Sequence, residues 1–201
     1  LIYTLNRGLS IAQCKYIARM DADDICMSTR LEKQVAYLDS HPEVIICGAQ
    51  IEYFGTKSNK YVKLSFPTKD KILKEMLAFS TCFAHPTVMM RKDIIVKNKL
   101  QYDYDYKNAE DYCMWINMIS LGKFANLDEA LVKYRISDAQ VSQPYNLQTI
   151  KSVMACRRKY LERYLSEDEI KDLFESPIKV WTVKSIKQKI SNPRVIEACY
   201  L

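Results

Sequence analysis

A short apolar segment that ends in a cluster of carboxylates constrains this chain more than any other feature. The segment Lys15–Met20 is typical of a buried β-strand, and Asp21, Asp23 and Asp24 follow it directly. Carboxylates that lie so close repel one another, so water, a helix start or a cation must compensate them. In open α/β sheets, ligands bind outside the carboxyl ends of strands. The cluster is therefore either a polar turn, with Asp24 or Ser28 capping the next helix, or a binding site.

Segments typical of strands alternate with segments typical of helices. Thr29 and Glu32 have capping-box spacing, which predicts a helix that ends near Ser40, and Ser166 and Glu169 repeat that spacing. Further predicted strands are Val44–Cys47, Ile51–Phe54, Thr87–Met90, Phe124–Leu127 and Ala130–Ile136, and further predicted helices lie near Lys71–Phe79, from Tyr112 to Gly122 and after Tyr145. This order predicts an α/β fold with a mostly parallel sheet flanked by helices and a helical C-terminal appendage.

Composition excludes several kinds of site and protein. Of the 201 residues, 48 % are hydrophobic, which is enough for a core, and no apolar run is long enough to span a bilayer. The seven cysteines form no CxxC pair and the chain has two histidines, so we expect reduced thiols and no zinc site. The four glycines form neither a Walker loop nor a dinucleotide fingerprint.

Three kinds of ligand could explain the acidic cluster. A calcium loop would need an oxygen ligand and a glycine where this chain has Ile25 and Cys26, so that alternative is poor. A haloacid-dehalogenase-like phosphotransferase would use Asp21 as its nucleophile, but the hydroxyl that such enzymes carry next is replaced by Ile25. A divalent cation that bridges carboxylates to a diphosphate fits best, because Mg²⁺ takes one or two protein carboxylates and completes its shell with phosphates and water.

Five segments in order resemble one known family. The run LNRGLSIAQCKYIARMDADDICMSTRLEKQVAYLDSHPEV is followed by AHPTVMMRK (84–92), NAEDYCMW (108–115), GKFANLDEALVKYRIS (122–137) and QVS (140–142). Together they resemble the bacterial family 2 glycosyltransferases of the GT-A fold, which build surface polysaccharides. The resemblance covers about residues 1–142 and predicts a catalytic-domain part there, with a helical extension over residues 143–201.

The resemblance implies roles for the acidic residues. Asp21 and Asp23 match the Asp-x-Asp pair that binds Mn²⁺ or Mg²⁺, and Asp23 is the expected direct ligand. Asp24 matches a third acidic position, beside metal-bound water or the donor sugar. Asp111 matches the catalytic base that removes the proton of the acceptor hydroxyl, and Glu110 matches the residue that orients a sugar. Glu110 and Asp111 could instead be helix-start acids favoured by the helix dipole.

Other positions carry open alternatives or depart from the family pattern. His85 either touches the acceptor or caps a strand, Arg135 lies either near the diphosphate or in a surface ion pair, and Trp115 is a core residue rather than a sugar platform. Ser137 stands where many members have a histidine that reaches metal or diphosphate. The βαβ half that precedes this region in the family would lie before Leu1, so we expect this chain alone to be inactive.

The predicted function is an inverting, metal-dependent transfer of a hexosyl or N-acetylhexosaminyl group from a nucleotide-diphosphate sugar, most simply a UDP-sugar. The acceptor would be a saccharide or a lipid-linked saccharide, with no nucleic acid partner and a cytoplasmic location. Residues 146–201 hold 11 Lys/Arg against 7 Asp/Glu, a net charge of +4. Their helices could cover the acceptor, pair two subunits or rest on the inner membrane face. A non-catalytic transferase fold is the competing function.

Overall fold

The computed structural model describes residues 1–55, 65–136 and 147–174. The α-helices are α1 (Ile2–Ile11), α2 (Arg30–Ser40), α3 (Asp70–Met76), α4 (Lys92–Lys97), α5 (Glu110–Met118), α6 (Leu147–Leu161) and α7 (Glu167–Phe174). The strands are β1 (Tyr16–Ala18), β2 (Ile25–Cys26), β3 (Val44–Phe54), β4 (Met89–Arg91) and β5 (Lys123–Arg135). Two short 3₁₀ turns, His85–Thr87 and Tyr104–Tyr106, precede β4 and α5. The predicted α/β class is confirmed.

The five strands form one sheet in the order β1-β4-β3-β5-β2. The long central pair, β3 and β5, is parallel, whereas β1–β4, β3–β4 and β2–β5 are antiparallel. The sheet is thus mixed within the described residues: its longest pairing, β3 with β5, is parallel as predicted, and its three shorter pairings are antiparallel. A run of buried residues indicates a central strand but carries no information about its direction, because both faces of such a strand are covered in either case.

Each central strand was predicted as two short strands and proves to be one. Gly48, directly after the predicted strand Val44–Cys47, lies inside β3 opposite Asn126 of β5. The pairing shifts register around Gln50, where an irregularity lets both strands continue past a local bend. β3 is buried from Val44 to Ile51, so it forms the middle of the sheet.

The core lies between the sheet and helix α5. Trp115 and Phe124 are fully buried there, and Phe83 packs between them with ring centroids 5.5 Å and 5.6 Å away. Cys156 and Tyr160 of α6 are buried in the same apolar cluster. The predicted helical C-terminal part is thus present and packs on the core of the sheet. The predicted division near residue 142 lies outside the described residues.

Candidate active site

The acidic loop, residues 21–24, connects β1 to β2 and is attached to the end of β5. The backbone N–H of Arg135 donates a hydrogen bond to Asp24 Oδ1 at 2.9 Å, and its Nε donates to the Asp23 carbonyl at 2.8 Å. Arg135 is exposed and its guanidinium also stacks on Phe54, 4.5 Å from the ring centroid. Arg135 therefore contacts the acidic loop through its backbone and its side chain, and its role beside the diphosphate stays a prediction.

Asp21 forms an ion pair with Arg19, two residues before it in the chain. Arg19 Nη1 donates to Asp21 Oδ2 at 2.7 Å and Arg19 Nη2 donates to Asp21 Oδ1 at 2.6 Å, so one guanidinium engages both carboxylate oxygens. The Arg19 side chain is only 9 % exposed, and that of Asp21 is 33 % exposed. A bidentate pair of this kind is among the stronger charge-assisted contacts in proteins.

The other two acids of the loop differ in environment. Burial raises the pKa of Asp24, and the charges of Asp21 and Asp23 raise it further, against the hydrogen bond from Arg135. Asp24 Oδ2 is buried and has no hydrogen-bond partner within the described residues. Asp23 is exposed. The loop therefore presents one open carboxylate and one buried acceptor oxygen that lacks a donor.

A buried polar network holds the loop from behind. Arg30, 1 % exposed, donates from Nη2 to the Arg19 carbonyl at 2.7 Å and from Nε to Gln34 Oε1 at 3.0 Å. Gln34 in turn donates to the carbonyls of Cys47 and Thr87 at 3.0 and 2.8 Å. The turn of α2 that carries these two side chains thus ties the end of β1 to β3 and to the segment before β4.

Glu110 and Asp111 lie at the first turn of α5. Asn108 precedes them in the left-handed conformation, with φ of 67°, which asparagine tolerates better than most residues. Its amide donates to Thr149 Oγ1 of α6 at 3.1 Å. This contact fixes the direction in which the chain enters α5, and so the position of both acids.

The pKa of Asp111 is raised above the ordinary value of a carboxyl group. Burial raises the pKa of Asp111 to about 6, and the neighbouring charge of Glu110 adds to the effect. Hydrogen bonds from the backbone N–H groups at the start of α5 and the charge of Arg19 oppose the rise. A carboxyl group with this pKa is largely ionised at pH 7 and yet basic enough to accept a proton. Glu110 itself is buried, 5 % exposed.

His85 lies in the same region as Asp111. Its Nε2 is 3.1 Å from the Tyr102 hydroxyl oxygen, and its ring packs edge-on against Trp115, with centroids 5.9 Å apart. Burial lowers the pKa of His85 well below its usual range, and the charge of Arg19 adds to the effect, so the imidazole is neutral at pH 7. Trp115 is a core residue, as predicted, but its buried Nε1 has no hydrogen-bond partner within the described residues.

Arg19 connects the two halves of the site. Its charge lowers the pKa of Asp24 in the acidic loop, and it also lowers the pKa of His85 and of Asp111. Sequence reasoning missed Arg19, although a charged residue two positions before Asp21 in an extended segment lies on the same face. It also missed Tyr102, for which no spacing gave a signal. Ser137 lies outside the described residues.

The acidic loop offers oxygen ligands that suit a divalent cation, but it does not form a complete coordination shell. Within the described ranges, no group of three or more His, Cys, Asp or Glu side chains is arranged to hold a metal ion. Asp23 and the unpartnered oxygen of Asp24 nevertheless supply hard oxygen ligands, and Mg²⁺ or Mn²⁺ needs only one or two such groups when a diphosphate supplies others. Arg19 engages both oxygens of Asp21, so a cation at Asp21 would bind against the charge of the guanidinium.

A shallow groove at the opposite end of β1 carries none of the predicted site residues; it is lined by Gln13, Cys14, Lys15, Arg91, Lys92, Asp93 and Val96. Among residues 1–55, 65–136 and 147–174, helices long and apolar enough to cross a bilayer are absent. The six cysteines in these ranges are unpaired thiols.

Comparison with known proteins identifies the family of the chain. Residues 1–98 match the family model for Glycosyl transferase family 2. The O-antigen biosynthesis glycosyltransferase WbnJ of Escherichia coli is 34 % identical over 184 residues, which cover 84 % of this chain and 68 % of WbnJ. The amylovoran biosynthesis glycosyltransferase AmsE of Erwinia amylovora is 34 % identical over 74 % of this chain and 55 % of AmsE. An uncharacterized glycosyltransferase of Haemophilus influenzae is 33 % identical over 83 % of this chain and 54 % of its own length.

The chain thus spans about half the length of the Erwinia and Haemophilus relatives. Among solved structures, S. aureus TarS in complex with UDP-GlcNAc superimposes with a TM-score of 0.60 at 16 % identity, over 94 % of this chain and 61 % of TarS. This likeness concerns the fold, and it confirms the predicted GT-A-like architecture. On the sequence match to WbnJ and the family model, the chain belongs to glycosyl transferase family 2.

Proposed function

We propose that the protein containing this chain is an inverting, metal-dependent glycosyltransferase. It would move a hexosyl or N-acetylhexosaminyl group from a nucleotide-diphosphate sugar to an acceptor hydroxyl in surface polysaccharide or glycolipid synthesis. The observation that carries the proposal is Asp111, an acid with a pKa of about 6 at the start of α5, in the same electrostatic region as the acidic loop. WbnJ and AmsE, by their names, serve O-antigen and amylovoran synthesis, which supports the choice of product.

The reaction follows from the two halves of the site. Asp111 accepts the proton of the acceptor hydroxyl while the hydroxyl oxygen attacks the anomeric carbon. The bond from that carbon to the diphosphate oxygen breaks, and the nucleoside diphosphate leaves with the bonding electrons. Attack from the face opposite the leaving group inverts the anomeric centre. His85, which is neutral and lies within hydrogen-bond distance of the Tyr102 hydroxyl, would exchange a hydrogen bond with the acceptor.

The acidic loop serves the leaving group. Asp23 and Asp24, joined by Asp21, would hold Mn²⁺ or Mg²⁺, which supplies positive charge for the diphosphate as it departs. A UDP-sugar is the simplest donor, and UDP-GlcNAc in the TarS complex supports that choice. The acceptor would be a saccharide or lipid-linked saccharide in the cytoplasm, and the basic C-terminal region would favour contact with the inner membrane face.

Two other functions were considered from the sequence, a phosphotransferase and a non-catalytic transferase fold. Membership of the glycosyltransferase family leaves no support for a phosphotransferase, and Arg19 engages both oxygens of Asp21, the nucleophile that such an enzyme would need. A non-catalytic transferase fold makes an opposite prediction to ours. It would bind a nucleotide sugar without consuming it, or would not bind it.

The test uses the full-length protein and the variant Asp111→Asn. We expect Mn²⁺-dependent thermal stabilisation by UDP in both proteins, and transfer or slow hydrolysis of a UDP-sugar only in the wild type, with kcat lower by about 10³-fold or more in the variant. Asp105→Asn, at an exposed position before α5, is the matched control and should keep full activity. Full activity of Asp111→Asn would show that the base is misassigned. Absence of UDP binding and turnover in the wild type would favour the non-catalytic fold.

A further inference from the structure

Arg19 is a buried cation that is paired with a carboxylate of the acidic loop. Its side chain is 91 % buried, its two terminal nitrogens engage both oxygens of Asp21, and its Nε is buried without a hydrogen-bond partner within the described residues. Three carboxylates in four positions require a compensating positive charge. In this structure the chain itself supplies that charge.

The backbone of Arg19 is held by hydrogen bonds that do not involve its guanidinium. The Arg19 N–H donates to the Val88 carbonyl at 3.0 Å, and the Arg19 carbonyl accepts from Arg30 at 2.7 Å. These bonds hold the end of β1 whether or not the side chain contacts Asp21. The guanidinium can therefore release Asp21 without loss of the backbone position of the loop.

We propose that Arg19 is the internal counter-cation of the acidic loop: it occupies the Asp21 carboxylate before the donor binds and must release it before Asp21 can bind a divalent cation. This inference rests on the function proposed above. A diphosphate is the anion that suits the released side chain, because a guanidinium engages phosphate oxygens in the same bidentate way as a carboxylate. Arg19 thus exchanges the Asp21 carboxylate for the diphosphate of the donor.

Such an exchange couples the cation to the nucleotide. Without nucleotide, Arg19 and the cation compete for the same two oxygens of Asp21, so cation affinity is low. A nucleoside diphosphate that draws Arg19 away removes the competition, so cation affinity rises, and by linkage the cation raises nucleotide affinity by the same factor. A metal bridge alone would also couple the two ligands, but loss of Arg19 would then leave the size of that coupling unchanged.

The test measures Mn²⁺ binding to the full-length protein from the electron paramagnetic resonance signal of free Mn²⁺, with and without UDP. We expect Arg19→Gln to bind Mn²⁺ about tenfold more tightly than the wild type in the absence of UDP, and the gain in Mn²⁺ affinity on adding UDP to shrink by about tenfold. Arg7→Gln, which removes the same charge from an exposed position of α1, should match the wild type in both respects.

A second variant covers the case in which Arg19→Gln does not fold. Arg19→Lys keeps the charge but its ammonium is a single point donor, so Mn²⁺ affinity without UDP should lie between those of the wild type and Arg19→Gln. If the Arg19 variants bound Mn²⁺ as tightly as the wild type or more weakly, this inference alone would be overturned. Failure of every variant to bind Mn²⁺, with or without UDP, would overturn metal dependence and this inference together.

Discussion

The Nε2 atom of His85 lies 3.1 Å from the hydroxyl oxygen of Tyr102, in a region where burial keeps the imidazole neutral. The backbone of Tyr102 is fixed by Asn6, whose side chain accepts from the Tyr102 N–H and donates to its carbonyl, both at 2.8 Å. Residues of α1 and of the segment before α5 therefore set the position of the histidine that we place beside the acceptor.

Tyr102→Phe should weaken acceptor use more than stability. The phenyl ring keeps the packing, while the lost hydrogen bond frees the imidazole to rotate and costs about 1 kcal/mol of unfolding free energy. We expect the acceptor KM to rise several-fold with the donor KM unchanged, measured by steady-state kinetics. Tyr104→Phe is the control, since Tyr104 is 61 % exposed. Equal effects on donor and acceptor would argue against the acceptor-side role.

The pH dependence of transfer should report Asp111. Its carboxylate is the active form and its pKa is about 6, so kcat/KM should fall on the acid side with an apparent pKa near 6. Burial lowers the pKa of His85, so its protonation is displaced to more acid pH than that of an exposed histidine. A profile of kcat/KM against pH from 4.5 to 8.5, made on protein checked for folding at each pH, measures the limb. An acid limb centred near 4 would mean that an exposed carboxyl group is the base.

Asp111 should also cost stability at neutral pH. Its pKa is raised in the folded state from the ordinary value of 3.8 to about 6, so the folded state disfavours the ionised form. Its stabilising contribution is present below the unfolded pKa and is lost as pH rises through the folded pKa. Asp111→Asn should therefore raise the free energy of unfolding by up to about 3 kcal/mol at pH 8 and by little at pH 4. Urea unfolding at both pH values measures the difference; equal effects would contradict it.

How far the sequence predicts local structure is clear from its two capping boxes. Ser166 behaves as predicted, because Glu169 Oε2 accepts from its N–H at 2.7 Å and from its hydroxyl at 2.8 Å. Thr29 makes no such side-chain bond, although α2 does begin at Arg30. Its backbone is already in a turn, with φ of −92° and ψ of −1°, because the Arg30 N–H bonds to the Met27 carbonyl. The residue spacing predicted the helix but not the hydrogen-bonded turn that leads into it.

The buried face of α2 shows a second limit. The apolar spacing of Leu31, Val35 and Leu38 predicts one inward face, yet Leu31 is 52 % exposed while Arg30 and Gln34 are buried. These polar residues face inward because they bond to carbonyl groups of β1 and β3 and of the segments before β4, and such partners cannot be read from periodicity. The acidic positions of the site were found from their residue types, whereas Arg19 and its pairing depend on the folded loop.

The size of residue 48 should matter as much as any apolar core position. A Cβ atom on Gly48 would collide with the Asn126 amide and come within 2.7 Å of Phe83 Cδ1. Gly48→Ala should therefore lower the free energy of unfolding by about 2–3 kcal/mol, measured by chemical denaturation. Gly8→Ala is the control: a Cβ there meets nothing within 4 Å, so in helix α1 it should be neutral or stabilise by up to about 1 kcal/mol. A neutral Gly48→Ala would show that β3 and β5 can separate locally.

Arg30 should affect stability and the acidic loop together. Arg30→Met keeps much of the volume but leaves the carbonyl of Arg19 and the side chain of Gln34 without their donor, which we expect to cost about 2–4 kcal/mol. The loop should also lose order, so Mn²⁺-dependent UDP binding should weaken at a temperature where the variant is fully folded. Lys33→Met, one position before Gln34, removes only an exposed ion pair with Glu129 and should cost less than about 1 kcal/mol. If Arg30→Met lost stability but bound UDP and Mn²⁺ as the wild type does, Arg30 would support the sheet without positioning the loop.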